Sequence, residues 1–157
     1  MPDGNQTPPV LTAKMKLEAT CPSHARTDVV MGHHELVMDE PEARGGTDLS
    51  LSPVQTYVSS LFGCTNVITH KCAHKLGVTI HEMTIQGTVI FDRRGVTLTE
   101  PTDLPIPEII MDIDVRTDAT DEQWAEVVDY LHKFCAVGVA MKASGTNIVE
   151  NWNLIRD

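Results

Sequence analysis

The stretch SPVQTYVSSLFGCTNVITHKCAHKLG, residues 52–77, decides how this chain folds. Ser52 is a good N-cap, Pro53 suits the first helical position, and Gln55 stands where a capping box needs it. Val54, Tyr57, Val58, Leu61, Thr65, Ile68, Cys72 and Leu76 then recur at helical spacing, and Gly77 is a natural stop. At the ordinary rise per residue this predicts a helix about 36 Å long. Ser59, Ser60, Gly63 and Ala73 keep it thin enough for another backbone to approach, so the pattern predicts a central helix rather than a surface one. Cys64 sits near its middle.

On the N-terminal side the sequence reads as strands. Lys14 to Thr20 alternates, with Met15, Leu17 and Ala19 on one face, and Thr27–Met31 and His34–Met38 flank Gly32-His33 as a hairpin. Residues 39–46, with Pro41 and Gly45-Gly46, form a loop. On the C-terminal side, Met83, Ile85, Val89 and Phe91 mark a strand, and Ile109, Met111, Ile113 and Val115 alternate with Asp112, Asp114 and Arg116 in another. Residues 92–107 between them predict a turn and an edge segment. Thr120 to Gln123 is a second capping box, opening a helix with Trp124, Val127, Val128, Leu131 and Cys135 on its apolar stripe. A short helix over 136–142 and a strand over 146–154 follow. Strands, helix, strands, helices and strand in that order predict an α+β fold. Residues 1–10, polar and with three prolines, read as a loose N-terminal arm, and 11–157 as one domain.

Composition narrows the function. A formal net charge of −10 leaves too few cations to neutralise phosphates, which excludes nucleic acid as a partner. No apolar run is long enough for a membrane span and no signal peptide is present, so the expected location is the cytoplasm. Aromatic residues make up only 4% of the chain, so aliphatic side chains must fill the core. The four cysteines, Cys21, Cys64, Cys72 and Cys135, are then expected to be reduced thiols, and no CxxC pair suggests a zinc ribbon or a thioredoxin-like site.

A lone cysteine is ordinarily a small core residue, and Cys64 and Cys135, each taken alone, leave that role open beside a catalytic one. A thiolate at Cys64 gains nothing from a helix N-terminus, so its activating cation must come from elsewhere. His70 and His74 lie four residues apart with Cys72 between them, a spacing compatible with a metal. No acidic residue adjoins them, Lys71 and Lys75 do, and no metal or cofactor is expected. Cys72 is read as core, Cys21 as incidental, His33-His34 as a turn, and His132 as facing away from Cys135.

Taken together, Asp39-Glu40-Pro41, Gly45-Gly46, Ser52-Pro53 and Leu61-Phe62-Gly63-Cys64-Thr65 resemble the OsmC/Ohr family of organic hydroperoxide reductases. The resemblance continues through Lys75-Leu76-Gly77-Val78, Phe91-Asp92-Arg93-Arg94-Gly95, Lys133-Phe134-Cys135-Ala136-Val137 and Ser144-Gly145-Thr146. It implies an intertwined homodimer, with long central helices packed between β-sheets from both subunits. It also implies a thiol-dependent peroxidase. Cys64 would attack the peroxide and become a sulfenic acid, Cys135 would condense with it to a disulfide, and a small or protein dithiol would reduce that disulfide. An arginine would support the thiolate, with Arg26 the first candidate and Arg44 the second. Two positions depart from the family's peroxidases. Where these usually carry a glutamate after the helix-opening proline, this chain has Val54 and Gln55, and Ala136 follows the second cysteine in place of a proline. The alternative is therefore a non-enzymatic dimer that senses redox state or binds a small molecule.

Overall fold

The computed structural model describes residues 11–156, and the predicted arm over 1–10 lies outside them. The chain divides into two compact units, one ending at Thr56 and the other beginning at Tyr57.

The first unit is an antiparallel meander of β1 (Glu18–Thr20), β2 (Thr27–Met31) and β3 (His34–Met38). The hairpin pairs Met31 with His34, and Gly32 supplies the left-handed φ of 62° that its turn needs. β1 is shorter than the alternation from Lys14 predicts. Met15 and Leu17 are exposed, so the apolar face that would have extended the strand is not covered by the described residues.

The loop after β3 is built on Asp39, which is 1% exposed. Its carboxylate accepts hydrogen bonds from the Thr47 hydroxyl at 2.6 Å and the backbone N–H groups of Thr47, Leu49 and Glu40. A Cβ at Gly46 would run into the backbone of Glu40, which is why only glycine fits there. The Thr47 hydroxyl, then the three N–H groups, hold the Asp39 carboxyl below the usual aspartate range, against burial, which pushes it up. A lowered pKa stabilises the fold above the unfolded-state value of about 3.9, and that stabilisation is lost as pH falls through the folded value. Asp39→Ala is expected to lower the thermal midpoint at pH 7 and to flatten its decline below about pH 4 relative to wild type. Parallel midpoint curves for the two proteins between pH 2 and 7 would show that Asp39 does not carry this dependence.

Helix α1 (Pro53–Lys75) opens with the predicted capping box: the Ser52 N–H donates to Gln55 Oε1 at 2.8 Å, and the Gln55 N–H to Ser52 Oγ at 3.5 Å. Gly77, at φ 71°, follows its end. From the second unit's boundary onward, α1 buries the stripe Val58, Leu61, Thr65, Thr69, Cys72 and Ala73. Outside that stripe, Tyr57 at 47% and Val67 at 49% are exposed in the single chain. Tyr57 therefore does not join the buried stripe, and Thr69 takes a place in it that the apolar spacing gave to Ile68.

The second unit holds a sheet in the order β4 (Ile80–Ile90), β5 (Glu108–Thr117), β6 (Asn147–Ile155). β4 and β5 are antiparallel, whereas β6 returns parallel to β5 after α2 (Asp121–Phe134) and α3 (Ala136–Ala143). Segment 91–107 forms turns without the predicted edge strand; Asp92 and Arg94 pair there instead, and the Arg94 side chain holds the Asp92 carboxyl down to about 2. The central strand β5 turns Ile109, Met111, Ile113 and Val115 into the core, all at most 1% exposed. Trp124, Val127 and Leu131 of α2 and Met141 of α3 are also buried. On the other face, Asn147, Asn151 and Asn153 of β6 donate side-chain hydrogen bonds to Glu108, Asp112 and Asp114 of β5. These rungs fix the parallel register, since a one-residue slip would turn every pair to the wrong face. α1 crosses β4 at Gly87, where any Cβ would collide with the Phe62 ring.

Candidate functional site

Cys64 and Cys135 meet within the second unit. Cys64 is half-buried on α1. Cys135 is 4% exposed and lies between α2 and α3, where an extended backbone (φ −73°, ψ 98°) ends one helix and starts the next. Its thiol lies near enough to Cys64 for that group to shift its ionisation, and its Sγ accepts from the Gly138 N–H at 3.3 Å. Cys135 therefore serves as the N-cap of α3, which brings a thiol to the positive end of that helix. Gly138 carries no side chain, and this admits both the sulfur and Leu61 of α1. All four cysteines are free thiols.

Burial, first, and the hydrogen bond with Cys64, second, push the Cys135 thiol up to about 11. The Gly138 N–H opposes this, while the Glu150 carboxylate adds to it. At neutral pH Cys135 is thus a protonated thiol, poorly nucleophilic until a base takes its proton. Burial also raises Cys72, which sits in the core stripe of α1 as the sequence predicts.

Beside Cys135 lies a cavity of about 10 Å³, room for roughly one water molecule. Leu61, Thr65, Cys135, His132, Lys142 and Glu150 are among its lining residues. His132 Nε2 is 2.8 Å from Glu150 Oε2, and the same oxygen accepts from Trp152 Nε1 at 3.1 Å. An ionised carboxylate can only accept, so its imidazole partner donates. The Glu150 side chain is 10% exposed and that of His132 44%, so the pair runs from the cavity to the surface.

His132, expected from the sequence to face away from Cys135, lines the same cavity as Cys135, and Glu150 is a residue that the sequence does not point to. Three residues along a helix is a neighbouring position, and that spacing was the signal. Glu150 comes from β6 and had no such local sign.

The two candidate arginines belong to the first unit. Arg26 forms a two-pronged ion pair with Asp28, Nε–Oδ1 at 2.7 Å and Nη2–Oδ2 at 2.8 Å, which raises its pKa further. Arg44 pairs with Glu40. His70 Nδ1 lies 2.9 Å from the backbone carbonyl of Asn66. Among the described residues no three His, Cys, Asp or Glu side chains are grouped to hold a metal, and no helix is long and apolar enough to cross a membrane.

A family model described as OsmC-like protein matches residues 46–150, more than half of the chain. An OsmC-like protein from Mycoplasma pneumoniae has a similar structure, with a TM-score of 0.77 at 18% identity over 92% of this chain and 99% of that one. An organic hydroperoxide resistance protein from Elizabethkingia anophelis has a TM-score of 0.63 at 14% identity, over 94% and 99%. The organic hydroperoxide resistance protein OhrB of Bacillus subtilis has one of 0.54 at 19%, over 91% and 98%. At these identities the likeness is one of fold. No curated protein matches the chain.

Proposed function

The chain belongs to the OsmC-like protein family, and from that premise we propose that it is a thiol-dependent peroxidase reducing organic hydroperoxides. The observation that carries this reading is that Cys64 and Cys135, far apart in sequence, lie close enough for one thiol to influence the other. The Cys64 thiolate attacks the outer peroxide oxygen. The O–O bond breaks, an alcohol leaves after taking up a proton, and Cys64 becomes a sulfenic acid. Cys135 displaces hydroxide from that sulfur, giving a disulfide and water, and a small or protein dithiol returns both thiols. The reaction needs no cofactor.

Arg26 is proposed as the cation for the Cys64 thiolate. The family's peroxidases orient their arginine with a glutamate, which Val54 and Gln55 replace here; Asp28 supplies a carboxylate that holds Arg26 by two hydrogen bonds. The working form is proposed to be an intertwined homodimer, whose partner would cover the exposed Tyr57 and Val67 of α1.

Val54 and Gln55, standing where the family's peroxidases carry a glutamate, favour one alternative, a non-enzymatic dimer that senses redox state or binds a small molecule. Purified protein with an alkyl hydroperoxide and excess dithiol separates the two readings. Sustained consumption of many equivalents is expected for the peroxidase; an end after about one equivalent per subunit, with dithiol still present, would establish the sensor instead.

A further inference from the structure

We propose that Glu150 and His132 act as a proton-accepting pair for Cys135, enabling it to close the disulfide on oxidised Cys64. The inference rests on the peroxidase reading of the two cysteines and concerns its second step.

Three observations converge. Cys135, Glu150 and His132 line one cavity with room for about one water molecule, reached from α2, from the α2–α3 junction and from β6. Glu150 is almost buried, yet it is paired with His132 and Trp152 rather than with a lysine or arginine, the partners that ordinarily neutralise a buried carboxylate. The half-exposed His132 gives the pair an outlet to solvent. The remaining charged group on the cavity is Lys142 of α3, and Cys64 faces Cys135 from α1.

The chemistry of the step requires such a group. As the Cys135 sulfur forms its bond to Cys64, the S–O bond of the sulfenic acid breaks and its electron pair leaves with hydroxide. The Cys135 proton passes to the Glu150–His132 pair, directly or through one water admitted to the cavity, and the hydroxide takes up a proton from solvent to become water. One sulfur is oxidised and the other reduced to the disulfide level, so no further oxidant is consumed. The thiol, raised to about 11, offers too little free thiolate at neutral pH, whereas the Gly138 N–H stands ready for the charge that develops on sulfur. General-base assistance of this kind is worth about 10²–10⁴-fold.

The test separates the two steps in a single turnover of reduced protein with one equivalent of alkyl hydroperoxide. Sulfenic acid at Cys64 is trapped with dimedone, and disulfide is measured by mass spectrometry. In Glu150→Gln, Cys64 oxidation is expected to stay within about twofold of wild type while disulfide formation slows about 100-fold at pH 7. The slowed step should then accelerate about tenfold per pH unit toward the ionisation of Cys135, because only its free thiolate can react. A merely structural loss would not produce that slope. His132→Gln, at a half-exposed side chain, provides a variant with little risk to the fold and is expected to slow the same step about tenfold. Disulfide formation at the wild-type rate and pH profile in both variants overturns the inference and leaves the peroxidase reading standing. Wild-type Cys64 that is recovered unoxidised, neither trapped as sulfenic acid nor found in a disulfide with Cys135, overturns both.

Discussion

Cys64→Ser is expected to reduce catalysed hydroperoxide consumption by at least about a thousandfold, down to the direct reaction of dithiol with peroxide. The substitution exchanges one atom on a half-buried helical position. α1 keeps its capping box, its stripe and the contact of Phe62 with Gly87, so circular dichroism should show a folded protein. A serine hydroxyl is a far weaker acid than a thiol, and its oxygen cannot carry the oxidation that a sulfur stores as sulfenic acid. Steady-state consumption of an alkyl hydroperoxide, followed with excess dithiol, is the measurement. Turnover that persists in this variant would place the chemistry elsewhere in the chain and remove the premise of the mechanism.

Cys135→Ser is expected to have nearly as large an effect, of a different kind. The first oxidation should proceed at the wild-type rate, but the sulfenic acid then has no neighbouring thiol to condense with. With excess peroxide it should go on to sulfinic acid, an irreversible product seen as two added oxygens on the Cys64 peptide, and consumption should stop after about two equivalents of peroxide per subunit. Serine is among the preferred N-cap residues, so the Gly138 N–H keeps an acceptor and α3 its start. The defect can then be assigned to the lost sulfur rather than to a displaced helix. Undiminished turnover in this variant would show that the dithiol reduces the sulfenic acid directly and that Cys135 is a core residue.

Much of the fold is legible in local chemistry. Ser52-Pro53 with Gln55, and Gly77, bracket α1 because capping depends only on adjacent residues. Ile109, Met111, Ile113 and Val115 announce β5 because the period of a strand is two and one of its faces is fully buried. The Thr120–Gln123 box forms in both directions. Where the reading fell short, tertiary partners decided. Lys14 to Leu17 alternates without a surface to bury against, and residues 92–107 settle into turns around the Asp92–Arg94 pair. The site was legible only in part for the same reason. Both cysteines carry sequence context, and the three-residue spacing from His132 to Cys135 was available. Glu150 reaches that group only because β6 runs parallel to β5, a pairing that no local pattern specifies.

That parallel pairing also bears on the order in which the molecule can be built. The rungs from β6 to β5 join residues 39 positions apart, and α2 and α3 must be traversed before the first can form. Until then one edge of β5 stays open beside four of the most deeply buried side chains of the mature protein. Long-range closures of this sort are slow, and the species that awaits them is the one prone to stick to its neighbours. Glu150 arrives with the same closure, so nascent or partly unfolded chains would hold both sulfurs without their carboxylate. The grouping of Cys135, His132 and Glu150 is therefore completed late in folding, when β6 docks.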